Sequence, residues 1–431
     1  MFVRMFAVVS GLALMGAGVA GFELQGRGGA QAPDPVEETV RALVGRFQLE
    51  NYKATIRGLT RFGDRREGTQ RNRDAVEWIA AQLESFGCAP VRMTYEPPAP
   101  RGGGAGRQAG RGGDPGGRGA QGGQPQRGAG APPATVLDEP VRNSSGGSTL
   151  YGIRRRTGVN NAPDAQPSEA LRELNAGPVI PGPIPQVYCT KVGSTRPNEM
   201  YILGAHMDGI GWGEAANDDG SGTALVMELA RVFNAPDVTT DVSIRFALWN
   251  GEEGGLRGAR AYVAQRAALQ GREDPPGSGR YPEPTWLGMI QHDMMMWDHG
   301  MPRADGTLAP EQRPEADFNI EFQSNSKLAE ASLTLALAVK LAADKYSTDY
   351  PGTLGPHMTN TDSTPFMDIV AAISMRENER GMHTGAGWNP HWHQPTDLYS
   401  TFSDKDFTLG LNAGQATLAA IAQLAAAKIG R

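Results

Sequence analysis

Seven acidic and histidine side chains, spread over five short segments, have the types and order that metal-assisted hydrolysis of a carbonyl compound requires. Two divalent ions about 3.5–4 Å apart can lower the pKa of a shared water towards about 7 and polarise a carbonyl oxygen. Such a pair needs a bridging carboxylate, about two further nitrogen or oxygen ligands for each ion, and a base that is not a ligand. The candidate side chains are His206, Asp208, Asp218, Glu252, Glu253, Asp293 and His393.

The first two candidates, His206 and Asp208, follow an apolar run at 200–204 that predicts a buried strand. Because the two residues are two positions apart, extended backbone would point both side chains to the same side. This arrangement suits a metal-bound His206 whose second ring nitrogen is held by Asp208.

Asp218 lies among small residues, Gly-Ser-Gly, that let a loop turn tightly into a helix. We predict that this helix covers 224–233 and that Ser221 is its N-cap. A short carboxylate in such a loop can reach between two ions, so Asp218 is the candidate bridge.

Two further predicted strands lead to the remaining acidic candidates. Glu252 and Glu253 follow a strand at 242–248, and Asp293 follows a strand at 286–291. Adjacent residues project in different directions, so one glutamate is expected to be a ligand and the other the base.

His393 lies in a loop rich in proline and tryptophan, with His391 as a competing candidate. The Gln-Pro-Thr-Asp sequence that follows favours His393. Of the other histidines, His292 is expected to pack against or cap its strand, and His299 is expected at the surface or the pocket rim. All of the candidate site residues lie at or just after strand ends, which is where open α/β sheets place their sites. Strands that alternate with helices predict the α/β class, as a three-layer α/β/α sandwich around a mostly parallel, mixed sheet.

The ordered set resembles the di-zinc aminopeptidase family, the co-catalytic zinc exopeptidases, over about 201–399. The resemblance implies a phosphorylase/hydrolase-like zinc peptidase fold, two Zn²⁺ ions and peptide substrates. It also implies a cis peptide bond after the bridging residue, between Asp218 and Asp219. By this resemblance, His206 and Asp293 would complete one ion and Glu253 and His393 the other. Asp218 would bridge the two ions. Glu252 would be the general base, and Asp208 would orient His206.

Three features depart from the pattern of that family. The position before the last histidine, often a tyrosine that steadies the oxyanion, is Trp392, whose indole N–H can only donate. A histidine that often precedes a Pro-Phe pair is missing from 361–366, and His357 could fill its space. The stretch 270–284 is long for a compact member, and we interpret it as a loop at the rim of the substrate pocket.

The composition fits a soluble globular protein with an exported N-terminus. The chain has 431 residues, of which 39% are hydrophobic and 20% charged, and its net charge of −6 gives no reason to expect nucleic acid as a partner. Residues 1–32 carry an arginine at position 4, followed by an apolar stretch rich in glycine and alanine. They predict a secretory signal peptide rather than a membrane anchor, cleaved after Ala20 or Ala32. We expect a periplasmic or extracellular protein without stable membrane association after cleavage.

The rest of the chain, 33–431, is expected to form a single catalytic domain with one disordered insertion. This insertion, at about 97–133, consists almost wholly of Gly, Pro, Arg, Gln and Ala and shows no apolar periodicity. Nucleic-acid binding of the Arg-Gly-Gly type is the alternative interpretation of this segment. Cys88 and Cys189 lie outside the site segments, and whether they pair is open.

The flanking sequence predicts further helices and one strand. Helices are expected at 36–47 and 71–86, and a strand at 91–95. Ser403 and the acidic residues after it indicate a capping box at the start of a C-terminal helix. Glu377 is interpreted either as a contact for a substrate amino group or as part of a surface salt bridge.

Three hypotheses follow for the function. The first is an exported zinc exopeptidase, specifically an aminopeptidase with Glu252 as its base; carboxypeptidase and dipeptidase activities stay open. The second is a zinc acyltransferase that resembles glutaminyl cyclase and holds one ion. The third is a non-catalytic binding module on the same fold. The number of bound metal ions distinguishes the first two.

Overall fold

A mixed eight-stranded sheet lies at the centre of the computed structural model. The structure describes residues 34–97, 149–150, 153–154, 159–300, 307, 309–355, 361–377 and 389–430. All helices and strands belong to one compact unit, Pro35–Arg431, and of the separate unit Met1–Asp34 only Asp34 is described. The predicted signal peptide and nearly all of the predicted insertion therefore lie outside the described residues.

Eight helices and twelve strands make up the described chain. The helices α1 to α8 are Pro35–Val44, Leu49–Thr60, Gln70–Ser85, Glu169–Asn175, Gly220–Phe233, Arg257–Arg266, Ala329–Tyr346 and Asp404–Leu424. The strands β1 to β12 are Pro90–Tyr95, Thr149–Leu150, Ile153–Arg154, Ile184–Lys191, Arg196–His206, Val238–Thr239, Val242–Trp249, Thr285–Asp293, Phe318–Phe322, Gly352–Gly355, Ala372–Glu377 and Lys428–Ile429.

The sheet has the order β1-β4-β7-β5-β8-β11-β9-β10. Its four central strands, β7, β5, β8 and β11, run parallel to one another. Antiparallel pairs flank them, β1 with β4 and β4 with β7 on one side and β11 with β9 on the other. The carboxyl ends of the four central strands therefore meet at one edge of the sheet.

Helices and their core residues cover both faces of the sheet, which confirms the three-layer α/β/α sandwich. Along β7, Phe246 and Leu248 pack into the larger core, while Ala247 and Trp249 belong to a second core. This alternation follows from the two-residue period of a strand. All eight residues of β7 are buried, as expected for a strand in a sheet that is covered on both faces.

Local sequence signals explain the helix starts that position the site. The capping box at Ser403 is present: its side chain accepts from the N–H of Asp406, and Asp406 accepts from the N–H of Ser403. The prediction for α5 was wrong by several residues. This helix begins at Gly220, and its N-cap is Asp219, whose carboxylate accepts from the N–H of Gly222. The hydroxyl of Ser221 instead donates to the main-chain oxygen of Asn217.

Two further sequence interpretations need correction. The helix α2 was not predicted, because its apolar face is short and interrupted by polar residues. Tyr52, Ile56 and Leu59 on that face are nevertheless fully buried. The stretch 270–284 leads into the first residue of β8, whereas the site residue Asp293 is the last one. The prediction that this stretch lies at the rim of the site is therefore wrong. The stretch meets the sheet at the amino-terminal end of β8, whereas the candidate site lies at its carboxyl end.

A disulfide joins Cys88, just after α3, to Cys189 in β4. Both residues are buried, and the bond links positions 101 residues apart in the sequence. The pairing that the sequence left open is thus present. Within the described residues, no helix is long and apolar enough to cross a membrane.

Candidate metal centre

The candidate ligands meet where the central parallel strands end. His206 is the last residue of β5, Asp293 is the last residue of β8, and Glu253 lies four residues after the end of β7. Because β5 lies between β7 and β8, these three positions are neighbours across the sheet. Two loops complete the cluster, one carrying Asp218 before α5 and the other carrying His393 before α8.

The carboxylate of Asp218 lies between two imidazoles. Its Oδ1 is 3.3 Å from Nε2 of His206, and its Oδ2 is 3.0 Å from Nε2 of His393. Each oxygen therefore faces a different histidine. This is the geometry that a carboxylate bridging two cations needs, and the peptide bond between Asp218 and Asp219 is cis, as the family resemblance implied.

The tautomer of His206 is set by its own strand end. Its Nδ1 is 2.9 Å from the main-chain oxygen of Asp208, an atom that can only accept, so Nδ1 carries the proton. The carboxylate of Asp208 is farther away, at 3.7 Å, so the main chain of Asp208 rather than its side chain makes the closer contact. The other ring nitrogen, Nε2, faces Asp218 and, at 3.7 Å, Asp293.

Glu253 and Glu252 diverge, as expected for adjacent residues. Oε2 of Glu253 is 2.9 Å from Nε2 of His393, whereas the N–H of Glu252 donates to the carboxylate of Asp208. The main chain of Glu252 is therefore held by Asp208, on the side of the cluster that carries His206. Its carboxylate interacts electrostatically with His206 and Asp293.

The donor set fits divalent metal ions. Two groups of side chains bring their ligand atoms within 4.8 Å of one another. Two carboxylate oxygens of the second group, Oδ2 of Asp218 and Oε1 of Glu253, are buried and accept no hydrogen bond, although Nε2 of His393 lies 3.0 Å from the first. Buried polar atoms are normally satisfied, so unsatisfied atoms in one cluster point to a bound cation. Imidazole nitrogen and carboxylate oxygen are ligands that zinc accepts.

Two adjacent aspartates compete for a place beside His206, since Asp219 can also approach it. The oxygens of Asp219, however, accept main-chain N–H groups from Gly222, Met294 and His206. Asp219 therefore serves as a helix cap and loop anchor, whereas the oxygens of Asp218 face the two imidazoles. Asp218 is therefore the better placed of the two as a candidate ligand.

The charges of the cluster shift its pKa values strongly. Burial raises the pKa of Asp218, but the bonds to His206 and His393 outweigh this effect and lower it. Burial raises the pKa of Glu253 to about 7 despite the nearby His393. Burial also raises the pKa of Glu252 well above its usual value, opposed by His206 and reinforced by Glu253. Shifts of this kind mark functional sites.

Several residues interpreted from the sequence lie elsewhere. His391 contacts Thr396 and lies edge-on to Trp297, so it does not join the carboxylates. His292 packs in the core between Gly204 and Thr417. His299 is buried against Trp297 and paired with Asp406, where the sequence suggested a surface or rim position. His357 lies outside the described residues.

Trp392 lies beside the cluster as its sequence position requires. Its indole ring stacks on the imidazole of His393, with 3.7 Å between ring centroids and 25° between ring planes. The side chain is half-buried. Trp392 is therefore one of the described residues that can contact both His393 and a substrate.

Three buried charged residues support the loops of the cluster; the sequence interpretation misjudged one of them and missed the other two. Glu377, interpreted as exposed or substrate-binding, is buried and accepts from the side chains of Asn217 and Asn389. The carboxylate of Asp397 accepts hydrogen bonds from the main-chain N–H groups of Asn217 and Asp218. Arg65 donates to four main-chain carbonyls. Asp397 belonged to the motif around His393 and could have been noticed there, whereas nothing in the spacing of Arg65 pointed to the site.

Comparison with known proteins agrees with this geometry. The family model described as "Peptidase family M28" matches residues 187–412, which is more than half of the chain. The matched range contains every residue of the candidate cluster. The chain therefore belongs to peptidase family M28.

Two curated relatives match short parts of the chain. "Probable lipoprotein aminopeptidase LpqL" of Mycobacterium tuberculosis is 44% identical over 75 residues, 17% of this chain and 14% of that protein. An "Aminopeptidase" of Pseudomonas aeruginosa is 32% identical over 137 residues, 30% of this chain and 24% of that protein. The matches thus span a quarter or less of these relatives.

Solved structures show the same fold at low sequence identity. The LapA aminopeptidase of Legionella pneumophila superposes with a TM-score of 0.53 and 16% identity, over 90% of this chain and 75% of that one. The glutaminyl cyclase of Porphyromonas gingivalis has a TM-score of 0.50 and 15% identity, over 88% of this chain and 97% of that one. The fold alone therefore does not separate the two enzyme hypotheses.

Zinc binding should be linked to pH through His393. Burial lowers the pKa of His393, but the carboxylates of Glu253 and Asp218 outweigh it and raise the pKa to about 9. Without a bound ion, the imidazolium thus stabilises the folded state fully below about pH 6.5, and this stabilisation is lost as the pH rises through about 9. A zinc ion must displace this proton, so we expect zinc affinity to rise with pH across that window.

Calorimetric titration of zinc in buffers of different ionisation enthalpy measures the protons released on binding. The wild-type protein should release at least one proton at pH 7, and His393→Ala should release fewer. Equal proton release from both proteins would contradict the assignment of His393 as a protonated ligand.

Proposed function

We propose that this protein is a two-zinc aminopeptidase. The observation that carries the proposal is the carboxylate of Asp218, whose two oxygens face two different histidine nitrogens at 3.3 and 3.0 Å. Membership of peptidase family M28 and the names of the curated relatives support peptides as the substrates. The enzyme would hydrolyse the peptide bond after an N-terminal residue that carries a free amino group.

Five residues would hold the ions. His206 and Asp293 would complete one site, Glu253 and His393 the other, and Asp218 would bridge them. Bound zinc ions would supply a water of lowered pKa and polarise the scissile carbonyl. Two sites rather than one are supported because each histidine has its own carboxylate neighbour besides Asp218: Asp293 for His206 and Glu253 for His393.

Glu252 would be the general base. Its neighbour Glu253 faces His393, which leaves the carboxylate of Glu252 free of the ligand set on that side. Burial raises the pKa of the Glu252 carboxyl well above its usual value, which favours a group that accepts a proton and later returns it. Glu252 would take a proton from the attacking water and pass it to the nitrogen of the leaving amine as the C–N bond breaks.

Each of the two alternatives leaves an observed feature without a role. A single-zinc acyltransferase has no need of a second histidine–carboxylate pair, and a non-catalytic module has no need of a buried Glu252 beside the ligands. Both features are present. We therefore favour the hydrolytic two-zinc enzyme.

We also propose that the protein is exported. The Cys88–Cys189 disulfide supports this, since structural disulfides persist mainly in oxidising compartments. The word "lipoprotein" in the name of the mycobacterial relative agrees with export. The predicted signal peptide at 1–32 lies outside the described residues and stays a prediction.

Replacing each of the two adjacent glutamates by glutamine should separate their roles. Glu252→Gln should keep two zinc ions and lose about 10²–10⁴-fold in kcat, because the base is gone while the ligands remain. Glu253→Gln is the matched control and should bind fewer than two ions. Metal analysis and peptide hydrolysis of the same preparations check both. Near-wild-type turnover by Glu252→Gln would show that the mechanism is wrong.

Trp392 is proposed to donate its indole N–H to the carbonyl oxygen as negative charge develops there. Trp392→Phe keeps a ring that can stack on His393 and removes only the donor. If the donor acts in the transition state, kcat should fall by about 10²–10³-fold with little change in KM. An unchanged kcat would restrict Trp392 to packing against His393.

Protein recovered from its native host tests the proposed export. Its N-terminal residue, determined by mass spectrometry, should follow Ala20 or Ala32, and the denatured protein should contain no free thiol. A chain that begins at Met1 and carries two free thiols would contradict export.

A further inference from the structure

The main chain that leads to Asp218 is held from two sides by opposite charges. Residues 214–218 follow the loop after β5 and end at the proposed bridging ligand. Two of their carbonyl oxygens face the guanidinium of Arg65, and three of their N–H groups face Asp397. We name this arrangement, formed by Arg65, Asp397 and 214–218, the loop clamp.

Asp397 contributes the acidic side of the loop clamp. Its Oδ1 accepts from the N–H of Asn217 at 2.8 Å, and its Oδ2 accepts from the N–H of Asp218 at 3.0 Å. Its main-chain oxygen accepts from the N–H of Glu214 at 2.8 Å. Because Asp397 belongs to the same loop as His393, these bonds tie the proposed bridge to a proposed ligand of one ion.

Arg65 contributes the basic side, from the other end of the loop. It is fully buried, and its guanidinium donates to the main-chain oxygens of Glu214 and Ala215 at 2.8 and 2.7 Å. A third bond, of 2.8 Å, reaches the main-chain oxygen of Met207, the residue between His206 and Asp208. Arg65 therefore ties the loop before Asp218 to the strand end that carries His206.

A buried guanidinium needs nearby negative charge, and the clamp supplies it. Asp397 and Asp64 are the carboxylates that act most strongly on Arg65, and Asp219 and Asp208 act on it as well. Asp64 is itself paired with Arg71 at 2.6 Å. The four carboxylates and two guanidinium groups form a buried network beneath the cluster, which is costly unless each member is satisfied.

We propose that Arg65 and Asp397 are positioning residues that fix the distance between His206 and His393 by clamping the main chain of Asp218. The reason is geometric: Arg65 reaches the His206 side, Asp397 reaches the His393 side, and both hold the segment that carries the bridge. This inference rests on the proposed two-zinc function. Neither residue contacts the ions or the substrate in this proposal; both act through Asp218.

The acidic side of the clamp is tested by Asp397→Asn. Asparagine keeps the size of the side chain but turns an N–H₂ group towards a main-chain N–H that needs an acceptor. The matched control is Asp406→Asn, because Asp406 is also a buried aspartate that accepts a main-chain N–H, at the start of α8. We expect Asp397→Asn to lower zinc affinity by about 10–100-fold, the usual cost of losing a residue that supports metal ligands.

The basic side is tested by Arg65→Lys, with Arg245→Lys as its control. Lysine offers one point charge, whereas Arg65 uses a planar fork to reach several carbonyls. Arg245 is a second buried arginine, paired with Glu283 away from the cluster. Arg65→Lys should weaken zinc binding as Asp397→Asn does, and Arg245→Lys should affect thermal stability alone.

The measurements are zinc titration by calorimetry, melting of the metal-free proteins, and electron paramagnetic resonance after loading with cobalt(II). The clamp predicts that both clamp variants melt near their controls without metal, yet bind zinc more weakly and show altered coupling between two cobalt ions. Wild-type zinc affinity and coupling in Asp397→Asn would overturn the clamp. Equal zinc loss in Asp406→Asn would also overturn it, by showing a general effect of destabilisation. A wild-type protein that binds no zinc would instead contradict the proposed function.

Discussion

The structure depends on one carboxylate, that of Asp218, being shared between His206 and His393. The two histidines come from positions almost 190 residues apart, so no local structure can bring them together. A bridging group tolerates little error, because an oxygen displaced by about an ångström would leave one histidine without its neighbour. The surrounding fold can be understood as the set of contacts that holds this carboxylate in place.

Parallel strands meet most of this requirement. Because β7, β5 and β8 are adjacent and parallel, their ends place Glu252, Glu253, His206 and Asp293 along one edge. The two loops that lack a strand to position them, before α5 and before α8, carry more buried polar contacts. Asp219 caps α5 and accepts N–H groups from two neighbouring strand ends, and Asp397 holds the chain at Asp218.

The sequence predicted the parts of this design that repeat or have fixed spacing. The apolar runs before His206, Glu252 and Asp293 gave the strands and hence the shared edge, and the capping signal at Ser403 gave the start of α8. Contacts between distant segments could not be predicted from the sequence. His299 was misplaced because its partner Asp406 lies 107 residues away, and Ser221 was mistaken for the N-cap because Asp219 competes for the same role. Arg65 was missed because its partners are main-chain oxygens. Every residue has such an oxygen, so no pattern of residue types in the sequence indicates these bonds.

We propose that this cluster binds two zinc ions and cleaves peptides from a free N-terminus. The most direct test is zinc analysis of the purified protein, alongside hydrolysis of matched peptides with free and acetylated N-termini. A two-zinc aminopeptidase should contain about two zinc ions per chain and cleave the free-amine peptides only. One zinc ion or none, with no hydrolysis of either peptide, would contradict it and return attention to the cyclase-like and binding-module hypotheses.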